Sequence, residues 1–401
     1  MTDLGDPTIS DRGLASRAPV VMQVVPSLVT GGVERGTVDM AVALAEAGWR
    51  SLVVSSGGPM TREFLRAGAE HIELPVQSKN PMVMRSNTER LIALIREHGV
   101  DIVHARSRAP AWSARRAARN TDARFVTTIH APYNLGLPLK RLYNSVMADG
   151  DRVIAISAFI ARHAVETYRA EPERIRVIHR GIDVDHFDPA RTSAERLIKL
   201  STDWRLADGV PVIMLPGRLT RWKGQSVLIE AIAKLGRDDI RCLIVGSDQG
   251  RTGYRRELEA LIAKRRLEGV VHLVGDCNDM PAALMLADAV VHASTDPEGF
   301  GRVIVEAQAM GRPIVAADHG ASRELVLPEQ TGWLVPPNAP DALATALKTV
   351  LALDTDDRED LASRAIKHVR DHFTKQTMCA ATMDVYREVL AEAQADGDVA
   401  A

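Results

Sequence analysis

Asp296-Pro297-Glu298-Gly299-Phe300-Gly301-Arg302-Val303-Ile304-Val305-Glu306-Ala307-Gln308-Ala309-Met310-Gly311-Arg312-Pro313-Ile314-Val315-Ala316-Ala317-Asp318 is the stretch on which the reading of this chain turns. It follows the apolar run Ala289-Val290-Val291-His292-Ala293, which reads as a short buried strand. Gly299 and Gly301 let the backbone turn sharply and come close to a ligand. Arg302 to Met310 has a helical pattern, stopped by Gly311-Arg312-Pro313 before a second strand, Ile314 to Ala317. The unit is strand, glycine loop, helix, strand. Unpaired N–H groups and the positive dipole end at the helix start suit a phosphate. Glu298 precedes the helix and Glu306 lies on it, with seven residues between them. An ionised carboxylate accepts two hydrogen bonds from a vicinal diol such as a ribose. A phosphate seat, a diol acceptor and a second carboxylate on one element imply a nucleotide-sugar site.

At 401 residues the chain is long enough for two domains. Its composition, 46% apolar and 25% charged, is that of an ordinary globular protein. A formal net charge of -2 argues against a nucleic-acid binder. Cys242, Cys277 and Cys379 are far apart and lack metal-ligand spacing, so no disulfide frame and no zinc site are expected, and a cytoplasmic location is. No apolar run reaches the roughly 18 residues of a spanning helix. Residues 1–19 are expected to form a disordered extension, since Met1 to Ala18 is polar with Asp3, Asp6 and Asp11 and no apolar core; Ala391–Ala401 is expected to be a disordered tail.

Strand and helix patterns alternate from Val20 onward, which predicts a parallel sheet covered on both faces, with ligands beyond the carboxyl ends of its strands. Two loops there stand out. Gly31-Gly32 opens a helix after the first strand, and reads equally as a plain helix start and as a ligand contact; G-x-G-x-x-G is absent. His130 follows the strand Phe125 to Ile129, where a catalytic role outweighs a purely structural one. On the helix Ala111 to Asn120, Trp112, Arg115, Arg116 and Arg119 share a face, with Arg106 and Arg108 just before it. A solvated basic face explains that pattern most simply, and contact with anionic lipid headgroups is its alternative.

The charged, glycine- and proline-bearing run from His179 to Pro189 leads to a polar segment ending near Gly209, which reads as an interdomain connection over 182–210. The alternation restarts at Val212, so the expected domains are 20–181 and 211–375, with a helix and tail over 376–401. The simplest architecture is α/β, two facing Rossmann-like domains with a cleft between them. Gly217-Arg218-Leu219-Thr220-Arg221-Trp222-Lys223-Gly224 follows the first strand of the second half. Arg218 offers a planar fork and Lys223 a compact charge, together suited to a diphosphate whose charge grows as a bond to it breaks. Gly246 ends the next strand at the same edge.

The chain resembles the family 4 glycosyltransferases of GT-B fold over about residues 20 to 390. The resemblance rests on Gly31-Gly32, His130, the run His179 to Asp183, Gly217-Arg218 with Lys223-Gly224, and Glu298-Gly-Phe-Gly…Glu306-Ala…Gly311. It implies a retaining enzyme in which Arg218 and Lys223 bind the donor diphosphate and Glu306 holds the ribose. Glu298 and His130 would lie at the transferred sugar, with the backbone at Phe300 and Gly301 in support. No metal or cofactor is implied. Two positions depart from the usual pattern: Ala321 where many members have a second glycine, and Arg180 where many have an asparagine. The run Gly32-Val33-Glu34-Arg35-Gly36 is similar to bacterial transferases that build lipopolysaccharide core or envelope polysaccharide.

The expectation is therefore a cytoplasmic hexosyltransferase, mannosyl transfer included. It would use a UDP- or GDP-sugar and a lipid- or saccharide-linked acceptor, and attach peripherally to the membrane through the Trp112 face. A sugar-nucleotide epimerase of the same fold and an inactive binding protein are the alternatives, and a dehydrogenase is disfavoured by the missing fingerprint.

Overall fold

The valine-, isoleucine- and leucine-rich runs are strands buried on both faces, because each is followed by a helix that crosses back over the sheet. The computed structural model describes residues 17–29, 31–133, 135–136 and 138–400. The first sheet contains β1 (Val20–Val24), β2 (Arg50–Ser55), β3 (Glu70–Glu73), β4 (Ile102–Ala105), β5 (Arg124–Ile129), β6 (Arg152–Ala155) and β7 (Ile175–Val177), in the order β3-β2-β1-β4-β5-β6-β7. The second contains β8 (Val212–Pro216), β9 (Arg241–Val245), β10 (Val271–Gly275), β11 (Ala289–His292), β12 (Ile314–Ala317) and β13 (Trp333–Val335), in the order β10-β9-β8-β11-β12-β13. The described pairings, such as Val290 with Ile314 and Ile213 with Cys242, are parallel. Both sheets thus have the doubly wound order expected of them. The order reverses between β1 and β4, and again between β8 and β11, which is where loops at the carboxyl ends leave room for a ligand.

The chain divides into two compact units, Met1–Thr127 with Tyr386–Ala401, and Thr128–Val385. The division falls inside β5 rather than in the 182–210 connection. Within the second unit, Ser157 Oγ donates to Gly299 O at 2.8 Å, and the amides of Ala158 and Phe159 donate to Glu324, each at 2.7 Å, which ties β6 and its helix to the later residues. A core of Ile213, Leu215, Leu228, Ile232, Ile244 and Val291 packs around the second sheet. In the first unit Val25, Leu28, Val38, Val53 and Phe64 form a cluster.

The connection 182–210 holds a helix, Ala194–Asp203, on which Leu197 and Leu200 are half-buried; Ser193 caps it and Arg196 pairs with Asp279 at 2.5 Å. The stretch Ala391–Ala401, expected to be disordered, is helical through Ala400 as the end of the helix Lys375–Ala400. Its alanine-rich sequence favours helix. In the first unit, Asp396 pairs with Arg124 at 2.5 Å and the buried Tyr386 hydroxyl lies 2.6 Å from His104 Nδ1. Of the extension over 1–19, residues 1–16 lie outside the described residues; Arg17 is tied down by Asp101 at 2.7 Å.

Gly224 turns the chain into the helix Gln225–Leu235 at φ +72, where a Cβ would stand 1.8 Å from Ala293 O. Gly224→Ala is expected to destabilise the protein by roughly 2–4 kcal/mol. Gly253, inside the helix Thr252–Lys264 with nothing near its missing Cβ, is the control. Gly253→Ala should be neutral or stabilising by up to about 1 kcal/mol. Urea unfolding midpoints of the two variants decide the matter.

Candidate active site

The site is built at the carboxyl ends of β8 and β11. After β8 the chain passes Gly217 and Arg218 and makes a short helical turn, Arg221–Lys223. Thr295 N donates to Trp222 O at 2.7 Å, and Gly224 lies against Ala293 O, so this loop and the one after β11 are packed together. Lys223 Nζ consequently reaches Glu298 Oε1 at 2.7 Å and lies 4.6 Å from the centre of the Trp222 ring. Gly246 belongs to the same assembly for a steric reason: a Cβ there would stand 2.1 Å from Gly217 O.

Glu298 is half-buried, its side chain 15% exposed, and ionised. His292 Nε2 lies 2.7 Å from its Oε1, and Ser294 Oγ donates to the same oxygen. Burial pushes the carboxyl up, but the charge and hydrogen bonds of His292 and Lys223 outweigh it and hold the group far below the ordinary carboxylate range. Its backbone is fixed as well, since Ala321 N donates to Glu298 O at 3.1 Å. The departure from the double-glycine pattern is harmless there, because Ala321 adopts φ -82, open to any residue.

Gly299 was expected to let the backbone turn sharply and come close to a ligand, but its φ is not positive. It allows a close approach of protein backbone instead: a Cβ would stand 2.7 Å from His130 O. That brings the His130 backbone against the Glu298 loop. His130 Nδ1 is 3.4 Å from Nη1 of the buried Arg180, which makes the second departure from the usual pattern a neighbour of the histidine. Gly301, at φ +95, starts the helix Arg302–Ala309, and the Phe300 side chain is buried with its ring centre 6.0 Å from that of Phe373. Glu306, on that helix, pairs with Arg302 at 2.8 Å. Both carboxylates of the element are therefore matched by a cation, while Arg218 is exposed and has no ion-pair partner among the described residues. Gly31 and Gly32 belong to the other unit. Gly31 is at φ +140 and caps the helix Gly32–Glu46, where a Cβ would collide with Glu34 Oε2, so its helix-start role stands on geometry.

The basic face proposed for lipid contact is smaller than expected. Arg106 is buried and donates to Gln23 Oε1 at 2.7 Å, so it is not part of that face. Trp112 and Arg115 are half-buried, and Arg116 and Arg119 are exposed. In the second unit, Leu139 and Leu142 on the helix Pro138–Ser145 are 77% and 64% exposed, beside the exposed Arg141.

Four residues with evident roles escaped the sequence reading. His292 looked like part of an apolar strand, and Ser294 like loop filler. Arg302 gave no sign of pairing with Glu306 beyond its i,i+4 spacing. Glu324 caps the helix Ala158–Tyr168 from the far end of the unit, accepting from Ala158 N, Phe159 N and His179 Nε2, the last at 3.0 Å.

The profile described as "Glycosyl transferases group 1" matches residues 199–368, and that of "Glycosyltransferase Family 4" matches residues 30–186. A D-inositol 3-phosphate glycosyltransferase of Xylanimonas cellulosilytica is 32% identical over 309 residues, covering 72% of each chain. The putative colanic acid biosynthesis glycosyltransferase WcaL of Salmonella typhimurium is 30% identical, over 59% of this chain and 56% of that one. Among solved structures, a glycosyltransferase from Rickettsia africae superposes with a TM-score of 0.87 at 37% identity, covering 93% of this chain and 99% of that one. Anabaena HepE in complex with UDP gives 0.81 at 25% identity, over 92% and 100%. The chain belongs to the family 4 glycosyltransferases and has the GT-B fold.

Glu324 supplies a test of the loop that backs the site. Burial would raise its carboxyl, but the hydrogen bonds from His179 and the two amides hold it below the ordinary 4.5. It therefore binds its proton less tightly when folded, so its stabilisation is complete above about 4.5 and is lost as pH falls through the depressed folded value. Glu324→Gln should lower the melting temperature at pH 7 and shrink the further drop on going to about pH 3.5. Thermal melts at the two pH values measure both effects.

Proposed function

We propose that this glycosyltransferase moves a hexose, with retention, from a UDP- or GDP-sugar to a lipid- or saccharide-linked acceptor in the assembly of envelope polysaccharide or lipopolysaccharide. The observation that carries the reading is the pair Glu298 and Glu306 on one element at the reversal of strand order, each already matched to a cation. A bound donor would exchange those partners: Lys223 turns to the diphosphate with Arg218, and Glu306 turns from Arg302 to the ribose hydroxyls. HepE, at 25% identity, has been solved with UDP and with UDP and glucose, which supports a nucleotide-sugar donor. WcaL supports the polysaccharide assignment.

In the proposed mechanism the bond between the sugar's anomeric carbon and the diphosphate oxygen breaks, and the acceptor oxygen attacks from the same face. The acceptor proton passes to the leaving diphosphate. Arg218 and Lys223 stabilise the charge that grows there, a task otherwise given to a metal ion. Glu298 and His130 hold the sugar. The backbone of Phe300 and Gly301 lines the seat, and Gly217 leaves room for the diphosphate beside it.

Thermal-shift measurements with UDP-, GDP-, ADP- and dTDP-sugars in EDTA test the donor assignment. One nucleotide should raise the melting temperature, and Glu306→Ala or Arg218→Ala should weaken its binding by about tenfold or more. Strict dependence on an added metal, or unchanged binding in both variants, would contradict the reading. Accumulation of an epimerised donor without acceptor would favour the epimerase.

For the membrane, the proposed contact is the face of Trp112, Arg115, Arg116 and Arg119 in the first unit. The protein should float with vesicles rich in phosphatidylglycerol and not with phosphatidylcholine. Arg116→Glu with Arg119→Glu should reduce flotation; equal recovery of wild type from both vesicle types at background level would remove the membrane from the picture.

A further inference from the structure

Glu298 meets its described donors through one oxygen. Lys223 Nζ and His292 Nε2 each lie 2.7 Å from Oε1, and Ser294 Oγ donates to the same atom. None of the described donors is on Oε2. An ionised carboxylate can only accept, so Nε2 of His292 carries the hydrogen of that bond. The other ring nitrogen, Nδ1, is buried without a partner among the described residues, and the side chain is 3% exposed. Leaving a buried ring nitrogen unpaired is unfavourable, and an apolar residue would continue the strand Ala289–His292 without that cost. The imidazole's close polar contact is the one on Glu298, with Ser294 Oγ more distant at 3.4 Å.

The two nitrogen donors on Glu298 differ in kind. Lys223 is a flexible side chain whose charge a diphosphate would attract. His292 is rigid, ends a buried strand and has nowhere else to go. Without His292, the departure of Lys223 would leave the Glu298 charge held by Ser294 alone. It would then follow the lysine or take up a proton, since an uncompensated buried carboxylate is costly. We propose that His292 is a positioning residue for the transfer: it pins Glu298 through Oε1 when Lys223 turns to the donor, so that Oε2 stays presented to a hydroxyl of the transferred sugar. This rests on the donor reading above. Ser294 is its partner in the same task, and Lys223 is the exchangeable member of the set.

The test separates the sugar from the nucleotide. Titration calorimetry in EDTA measures dissociation constants for the UDP- or GDP-sugar that wild type binds most tightly in the panel above, and for the bare nucleoside diphosphate. His292→Leu should leave the bare nucleotide within about twofold, while the ratio of the two constants shifts against the sugar by about tenfold or more. His292→Gln, whose amide nitrogen reaches the Nε2 position, should restore the ratio to within about threefold. His292→Asn, whose nitrogen reaches only the Nδ1 position, should not. With acceptor present, the Leu and Asn variants should lose kcat more than they raise KM. A ratio unchanged in His292→Leu overturns the proposal, as does equal loss of sugar and bare nucleotide, or equal behaviour of the Gln and Asn variants. If His292→Leu does not fold, the Gln and Asn pair carries the decision. If wild type binds neither ligand, it is the donor reading that fails, and this inference fails with it.

Discussion

A carboxylate taken out of water has to be met by donors, and Glu298 is met by three on a single oxygen. That requirement explains much of the second unit. Lys223 and Glu298 lie 75 positions apart in the sequence, and they meet because β8 and β11 are neighbours at the point where the strand order reverses. The loops must then touch, which is why Gly224 abuts Ala293 and Gly246 abuts Gly217. A third loop closes on the second: Ala321 fixes the Glu298 backbone, His319 Nε2 lies 2.8 Å from Ser294 O, and Glu324 ties the same segment to the start of the helix Ala158–Tyr168.

The resting site is close to neutral. Glu298 is balanced by Lys223 and Glu306 by Arg302, and Arg218 is exposed without an ion-pair partner among the described residues. Such an arrangement suits a ligand that is itself a dianion with hydroxyl groups. Binding would exchange one set of charge-assisted hydrogen bonds for another rather than create new buried charge. It also discriminates, because a ligand without the diphosphate would break the pairs and return nothing for them.

Much of this was readable from the sequence. The strands announced themselves as short apolar runs, and the two glutamates, the two cations and the glycines fell at strand ends, where a parallel sheet places ligands. What could not be read depended on distance or on disguise. His292 occupies a strand position indistinguishable from its apolar neighbours, and only the folded loop shows its ring turned to Glu298. Glu324 and the amides it caps are 166 and 165 positions apart, beyond any local pattern. Gly299 signalled a special backbone, but its reason is the His130 carbonyl, which belongs to a different stretch of the chain. The helix Ala194–Asp203 carries Leu197, Ile198 and Leu200, but it is short and lies inside a polar segment, so it was passed over. The continuation through Ala400 was misread because a polar, alanine-rich end looks the same whether helical or loose.

A crystal structure of the protein with UDP bound, grown without divalent metal, tests the exchange of partners at Glu298 most directly. Lys223 Nζ is now 2.7 Å from Glu298 Oε1. It should have moved onto a phosphate oxygen, with His292 Nε2 still within hydrogen-bonding distance of Glu298. A lysine that remains on Glu298 while the diphosphate is held elsewhere, or a Glu298 that follows the lysine away from His292, would contradict it.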